Sequence, residues 1–166
     1  MNAFEQPVEI LHLNTRKEGE ERDRLAIDVK VQATVDAEFI DELICGGVLS
    51  SGDALRAFWT ENEHGEPRFL MLDEIKVHRE VKGVNVELFS RGMYGCKISK
   101  FKFLPCAGHT ARLTFSIQLH EPPGQVVELL ASMLALEVPL KMSVPQGDLF
   151  GDAENTGGDD SKGGEE

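Results

Sequence analysis

The chain has 166 residues, enough for one packed core but not for two of independent stability. Its net charge of −12, from 17 Lys and Arg against 29 Asp and Glu, disfavours a broad nucleic-acid-binding surface, because neutralising phosphates needs a basic field. No stretch reaches the roughly 20 apolar residues that span a bilayer, Met1 to Pro7 lacks the basic-then-apolar order of a secretory signal, and Cys45, Cys96 and Cys106 fit no small disulfide framework. The expectation is a cytoplasmic protein with reduced thiols and no membrane segment.

Val8 to Thr15 is strand-like, and Arg16 to Asp23, with Gly19, reads as a hairpin loop. Leu25, Ile27, Val29, Val31, Ala33 and Val35 then alternate with Ala26, Asp28, Lys30, Gln32 and Thr34, the period of a strand with one buried face. Asp36 is placed to cap a short helix, Ala37 to Ile44, which Gly46 and Gly47 end. Val48 to Asp53 reads as loop, Leu55 to Thr60 as strand, Glu61 to Pro67 as a polar turn, and Phe69 to Val81 as a long strand.

Lys82-Gly83 is expected to turn the chain before Val84, Val86 and Leu88 alternate again, and Gly92 with Gly95 to break the run before a basic strand, Lys97 to Leu104. Pro105 to His109 forms the next turn. Leu113, Phe115, Ile117 and Leu119 opposed by Arg112, Thr114, Ser116 and Gln118 mark a second clear strand. Turns this short suit antiparallel pairing. After Pro122-Pro123 the period changes to three and four, with Val126, Leu129, Leu130, Met133 and Leu134 on one face of an amphipathic helix, Gln125 to Leu136.

Val138 to Val144 closes the order as a short strand. From Gly147 to Glu166 seven acids stand against Lys162, which gives this segment −6 of the −12, and its polar composition cannot offset the entropy of ordering. The expected architecture is α+β: a mainly antiparallel sheet of about seven to eight strands with two helices over residues 1–145, followed by a disordered acidic C-terminal tail over residues 146–166.

At the edge of that tail stands Gln146-Gly147-Asp148-Leu149-Phe150. The pentapeptide resembles the bacterial sliding-clamp-binding motif: glutamine, a variable residue, a small or acidic residue, then leucine and phenylalanine. The resemblance covers five residues and no others. It implies that the DNA polymerase sliding clamp is the partner, with Gln146 hydrogen-bonded in one subsite, Asp148 in the acidic position, and Leu149 and Phe150 in an apolar pocket. The function it implies is that of a non-enzymatic accessory protein of bacterial or phage DNA replication, repair or recombination. The other possibility for Leu149 and Phe150 is an anchor docked on their own domain.

Two alternatives belong to other classes. Glu74-Ile75-Lys76, with Asp53 upstream, resembles the acid and Glu-x-Lys halves of metal-dependent nucleases, which hold Mg²⁺ on carboxylates and position water with lysine. Gly52 stands where that family places proline, and a solvated strand face also accounts for Glu74 and Lys76. The second alternative is a single-stranded nucleic-acid-binding module using Arg91, Tyr94, Lys97, Lys100 and Lys102, since lysines interleaved with aromatics can neutralise phosphates and stack bases. The alternation puts Phe101 and Phe103 on the face opposite Lys100 and Lys102, which is also the pattern of a half-buried strand. Cys96, Cys106, His109 and His120 can ligate metals but lack paired Cys-x-x-Cys spacing. No nucleophile elbow or phosphate-cradling loop is present, so no catalytic residue, metal or cofactor is assigned.

Overall fold

The structure, a computed structural model, describes residues 3–19, 24–40, 59–70 and 72–144. Within them the architecture is mainly antiparallel sheet, and eight strands are formed. They are β1 (Ala3–Glu18), β2 (Arg24–Asp36), β3 (Trp59–Glu61), β4 (Pro67–Phe69), β5 (Ile75–Leu88), β6 (Arg91–Cys106), β7 (Thr110–His120) and β8 (Glu137–Ser143). Six of these close into a barrel in the order β1-β2-β7-β6-β5-β8, while β3 and β4 form a separate two-stranded hairpin.

Closure explains why the alternating segments are so regular. In a small barrel one face of every strand points into a space just wide enough to be filled by side chains. Ile27, Val29, Val31, Ala33 and Val35 of β2 and Leu113, Phe115, Ile117 and Leu119 of β7 are all buried, as the alternation predicts, but at the start of β2 Leu25 is exposed and Ala26 is buried in its place. Phe115 sits at the centre of an aromatic series. It stacks on Phe101 of β6 with centroids 5.9 Å apart and meets Phe4 of β1 edge-on at 5.9 Å. Phe4 in turn meets Phe39 at 5.7 Å.

The caps and turns follow from particular residues. Asp36 caps the helical residues 37–40 as expected, its Oδ1 accepting the Phe39 N–H at 2.8 Å; the expected end of that helix lies outside the described residues. In the β3–β4 turn Asn62 Oδ1 accepts the N–H groups of His64 and Glu66, each at 2.9 Å. The helix near the end of the chain runs Gly124–Ser132, shorter than the apolar period predicts. Val126 and Leu130 are buried in the core, but Leu129 and Leu134 remain partly exposed. Ala135, at φ +60°, turns the chain away instead, and its N–H bonds to Ile10 O at 2.8 Å.

Three expectations are corrected. Phe69 does not start a long strand: it ends β4, and the next barrel strand begins at Ile75. Lys82-Gly83 does not turn the chain. Gly83, at φ +72°, lies in a bulge where Lys82 pairs with Lys97 and Val84 with Cys96, so two steps on β5 match one on β6 and the strand continues. Gly92 and Gly95 likewise sit inside β6, Gly95 at φ +67° beside a second register shift. The real hairpin turn is Phe89-Ser90, with φ values of +54° and +59° between Leu88 and its partner Arg91. Both residues are left-handed, the geometry that matches strand twist in a two-residue turn, but no glycine or asparagine signals it.

Phe115→Ala is expected to destabilise the barrel by about 3–5 kcal/mol, whereas Tyr94→Ala, at an exposed position, should fall within about 0.5 kcal/mol. Urea denaturation of the two variants checks the contrast.

Candidate functional site

Five lysines gather on the outer face of β5 and β6. Antiparallel register sets Lys76 opposite Lys102 and Lys82 opposite Lys97. On this face Lys76, Lys82, Lys97, Lys100 and Lys102 stand against Glu74 and Glu80, a local excess of positive charge on an acidic chain. Like charges directly opposite one another repel, and the two acids relieve part of that. Glu74 bonds to Lys102 and, at 2.6 Å, to Lys76; Glu80 bonds to Lys97 at 2.9 Å. The Lys102 and Lys76 ammonium groups hold the Glu74 carboxyl below its ordinary range, and Lys97 does the same for Glu80. Lys82 and Lys100 form no ion pair within 4 Å among the described residues. Lys100 stands at φ +61° in a bulge where Ser99 pairs with Ser116 and Lys102 with Thr114, which places it on the exposed side.

Phe101 and Phe103 are 2% and 0% exposed, so they belong to the core and offer no stacking surface. Tyr94 is 77% exposed and is the aromatic that β6 presents outward. It lies in a shallow depression of about 340 Å³ over the β5–β8 seam, beside Glu87 and Lys141. Arg91 lies further on, against Gln125, Glu128 and Leu129 near the helix. Of the five residues picked from the sequence, Lys97, Lys100 and Lys102 thus form one cluster, and Tyr94 and Arg91 continue toward the Phe89-Ser90 turn. Sequence reading missed Lys82 as a member and gave Lys76 another role. The signal that joins them is the cross-strand register, which no local pattern carries.

The remaining candidates find other partners. Glu74, the proposed nuclease acid, is engaged by two lysines, and Asp73 is paired with Arg68; Asp53 lies outside the described residues. Among the described residues no three His, Cys, Asp or Glu side chains converge as a metal cage. His120 bonds through Nδ1 to Glu18 Oε2 at 2.8 Å, and Gln118 donates to Glu18 Oε1 at 2.8 Å. Burial pushes the Glu18 carboxyl up, but the His120 bond and Arg16 outweigh it and leave it below the usual range. His109 meets Trp59 edge-on at 6.1 Å, and the Trp59 indole donates to Thr110 O at 2.9 Å. Cys96 is a buried thiol whose pKa burial pushes to about 11, which makes it a poor nucleophile or ligand. Gln146, Asp148, Leu149 and Phe150 lie outside the described residues.

Comparison with protein-family models, curated proteins and solved structures finds no match to this chain.

Because Lys102 and Lys76 hold the Glu74 carboxyl below the usual carboxylate range, its contribution to stability is present above that range and lost as pH falls through the folded value. Thermal denaturation between about pH 5 and pH 3 should show falling stability, with a shallower fall for Glu74→Gln.

Proposed function

We propose that the protein is a non-enzymatic accessory factor of bacterial or phage DNA replication, repair or recombination that binds the DNA polymerase sliding clamp through residues 146–150. The observation that carries this reading is Gln146-Gly147-Asp148-Leu149-Phe150 following β8 with only Val144 and Pro145 between. A short linear peptide works in this way because two apolar side chains entering a pocket contribute about 3–5 kcal/mol gross, before the cost of ordering the peptide. The net affinity is micromolar, suited to recruitment that can be reversed. A rigid barrel immediately before the peptide would hold it close to the clamp surface while the body remains available for other contacts.

The β5–β6 strip favours a second reading, binding of single-stranded nucleic acid by its phosphates. Lys76, Lys82, Lys97, Lys100 and Lys102 lie on two adjacent strands, and Tyr94 is the exposed aromatic next along β6. Such binding would be mainly electrostatic, since the strip's phenylalanines are committed to the core.

Calorimetric titration against a purified bacterial sliding clamp is expected to give a micromolar Kd, and Leu149→Ala with Phe150→Ala should weaken it at least about tenfold; equal binding by the double variant refutes the clamp reading. For the second reading, anisotropy of a labelled DNA single strand should show affinity that falls steeply with salt. Lys82→Glu with Lys100→Glu should abolish it, and salt-independent binding would rule the strip out.

A further inference from the structure

β8 completes the barrel on β5 for only four residues, Asn85 to Leu88, opposite Ser143 to Leu140. β5 begins ten residues earlier, at Ile75, and over 75–84 it has β6 on one side and no strand on the other among the described residues. Among the described residues this length of edge therefore has no ladder partner for its outer backbone N–H and C=O groups. The inward-pointing Ile75, Val77 and Val81 along it are only partly buried, unlike Val84 and Val86, which lie where β8 approaches. The same length of strand carries Lys76 and Lys82 outward, next to Lys97, Lys100 and Lys102.

The chain leaves the barrel at this place. Ser143 pairs with Asn85, so the described chain ends, at Val144, next to the start of this length of β5. Residues 147–166 bear seven acids and one lysine. Asp152 to Asp160 stand eight to sixteen residues beyond Val144, a reach of up to about 26 to 53 Å in extended chain, and the open edge over 75–84 is about 33 Å long.

We propose that the acidic segment 151–166 docks in cis on the open edge of β5 and the basic strip beside it, with Asp152, Glu154, Asp159 and Asp160 against Lys76, Lys82, Lys97, Lys100 and Lys102. Single exposed ion pairs contribute little, but the covalent tether supplies a local concentration in the millimolar range, and several pairs act in parallel. The contact is salt-sensitive, because the charges are exposed and screened within about 8–10 Å at physiological ionic strength. An external polyanion then has to displace the segment to reach the strip, which confines the strip to ligands of high charge density. The docking does not depend on residues 146–150 occupying a clamp.

Zero-length carbodiimide crosslinking of the full chain at low salt, followed by peptide mapping, tests the proposal. Tail carboxylates should link to Lys76, Lys82, Lys97, Lys100 and Lys102 at least about fivefold more than to Lys17, Lys30 and Lys141, and the preference should vanish in ~0.5 M NaCl. Even distribution over all lysines, or no tail crosslinks at low salt, overturns it. In a second measurement, replacing Asp152, Glu154, Asp159 and Asp160 by their amides in the full chain should shift the amide resonances of Lys76 to Lys82 and Lys97 to Lys102; unchanged spectra there would also overturn it. Leu149→Ala with Phe150→Ala should leave the crosslinks intact, so loss of clamp binding and loss of docking are read separately.

Discussion

The pairing of β8 with two strands at once holds the barrel together. Val138 and Leu140 meet Val8 and Gln6 on β1, while Leu140 and Met142 meet Leu88 and Val86 on β5. Without that short strand β1 and β5 would both be long open edges, and the apolar faces of the remaining five strands would enclose a slot rather than a filled interior. With it, Phe4, Val86, Leu140 and Met142 are buried in the same continuous core as Phe101 and Phe115. The seven residues of β8 thus decide whether the barrel closes, a consequence of edges being costly unless paired.

The same closure distributes charge. A closed barrel leaves each strand only its outer face for polar residues, so charged side chains that alternate along β5 and β6 fall into one strip. Lys82 and Lys97, and Lys76 and Lys102, become neighbours through hydrogen-bond register. Glu74 and Glu80 make that density tolerable without cancelling it. On the opposite side of the barrel wall, Phe101 and Phe103 fill the interior. The strip therefore presents cations rather than aromatic rings at its surface, apart from Tyr94 further along.

Much of the strand content was legible because burial on one face leaves a period of two. β7 follows it throughout and β2 follows it from Ile27 on, and their ends were read within about two residues. The Asp36 cap was equally local: an aspartate before an apolar run supplies the acceptor that a helix start lacks. The misreadings arise where one residue has two uses. Gly83 and Gly95 signal a positive φ, which serves a turn or a bulge alike, and only the pairing of β5 with β6 selects the bulge. Phe89-Ser90 makes a left-handed turn with residues that seldom do so, and Phe89 packs against the core, which offsets the cost of its backbone.

The candidate site divides along the same line. The pentapeptide at 146–150 is visible in the sequence because a linear motif needs no fold to bring its parts together. The lysine strip required two strands to be laid in register, and among the described residues β5 has an unpaired edge only because β8 stops short of it. Composition and periodicity by themselves determined that this chain forms antiparallel strands with one apolar face and carries an acidic segment, since those depend on neighbours along the chain. The tertiary structure alone decided that the strands close into a barrel, which cations share a surface and where an edge stays open, because these depend on hydrogen bonds between residues far apart in the chain.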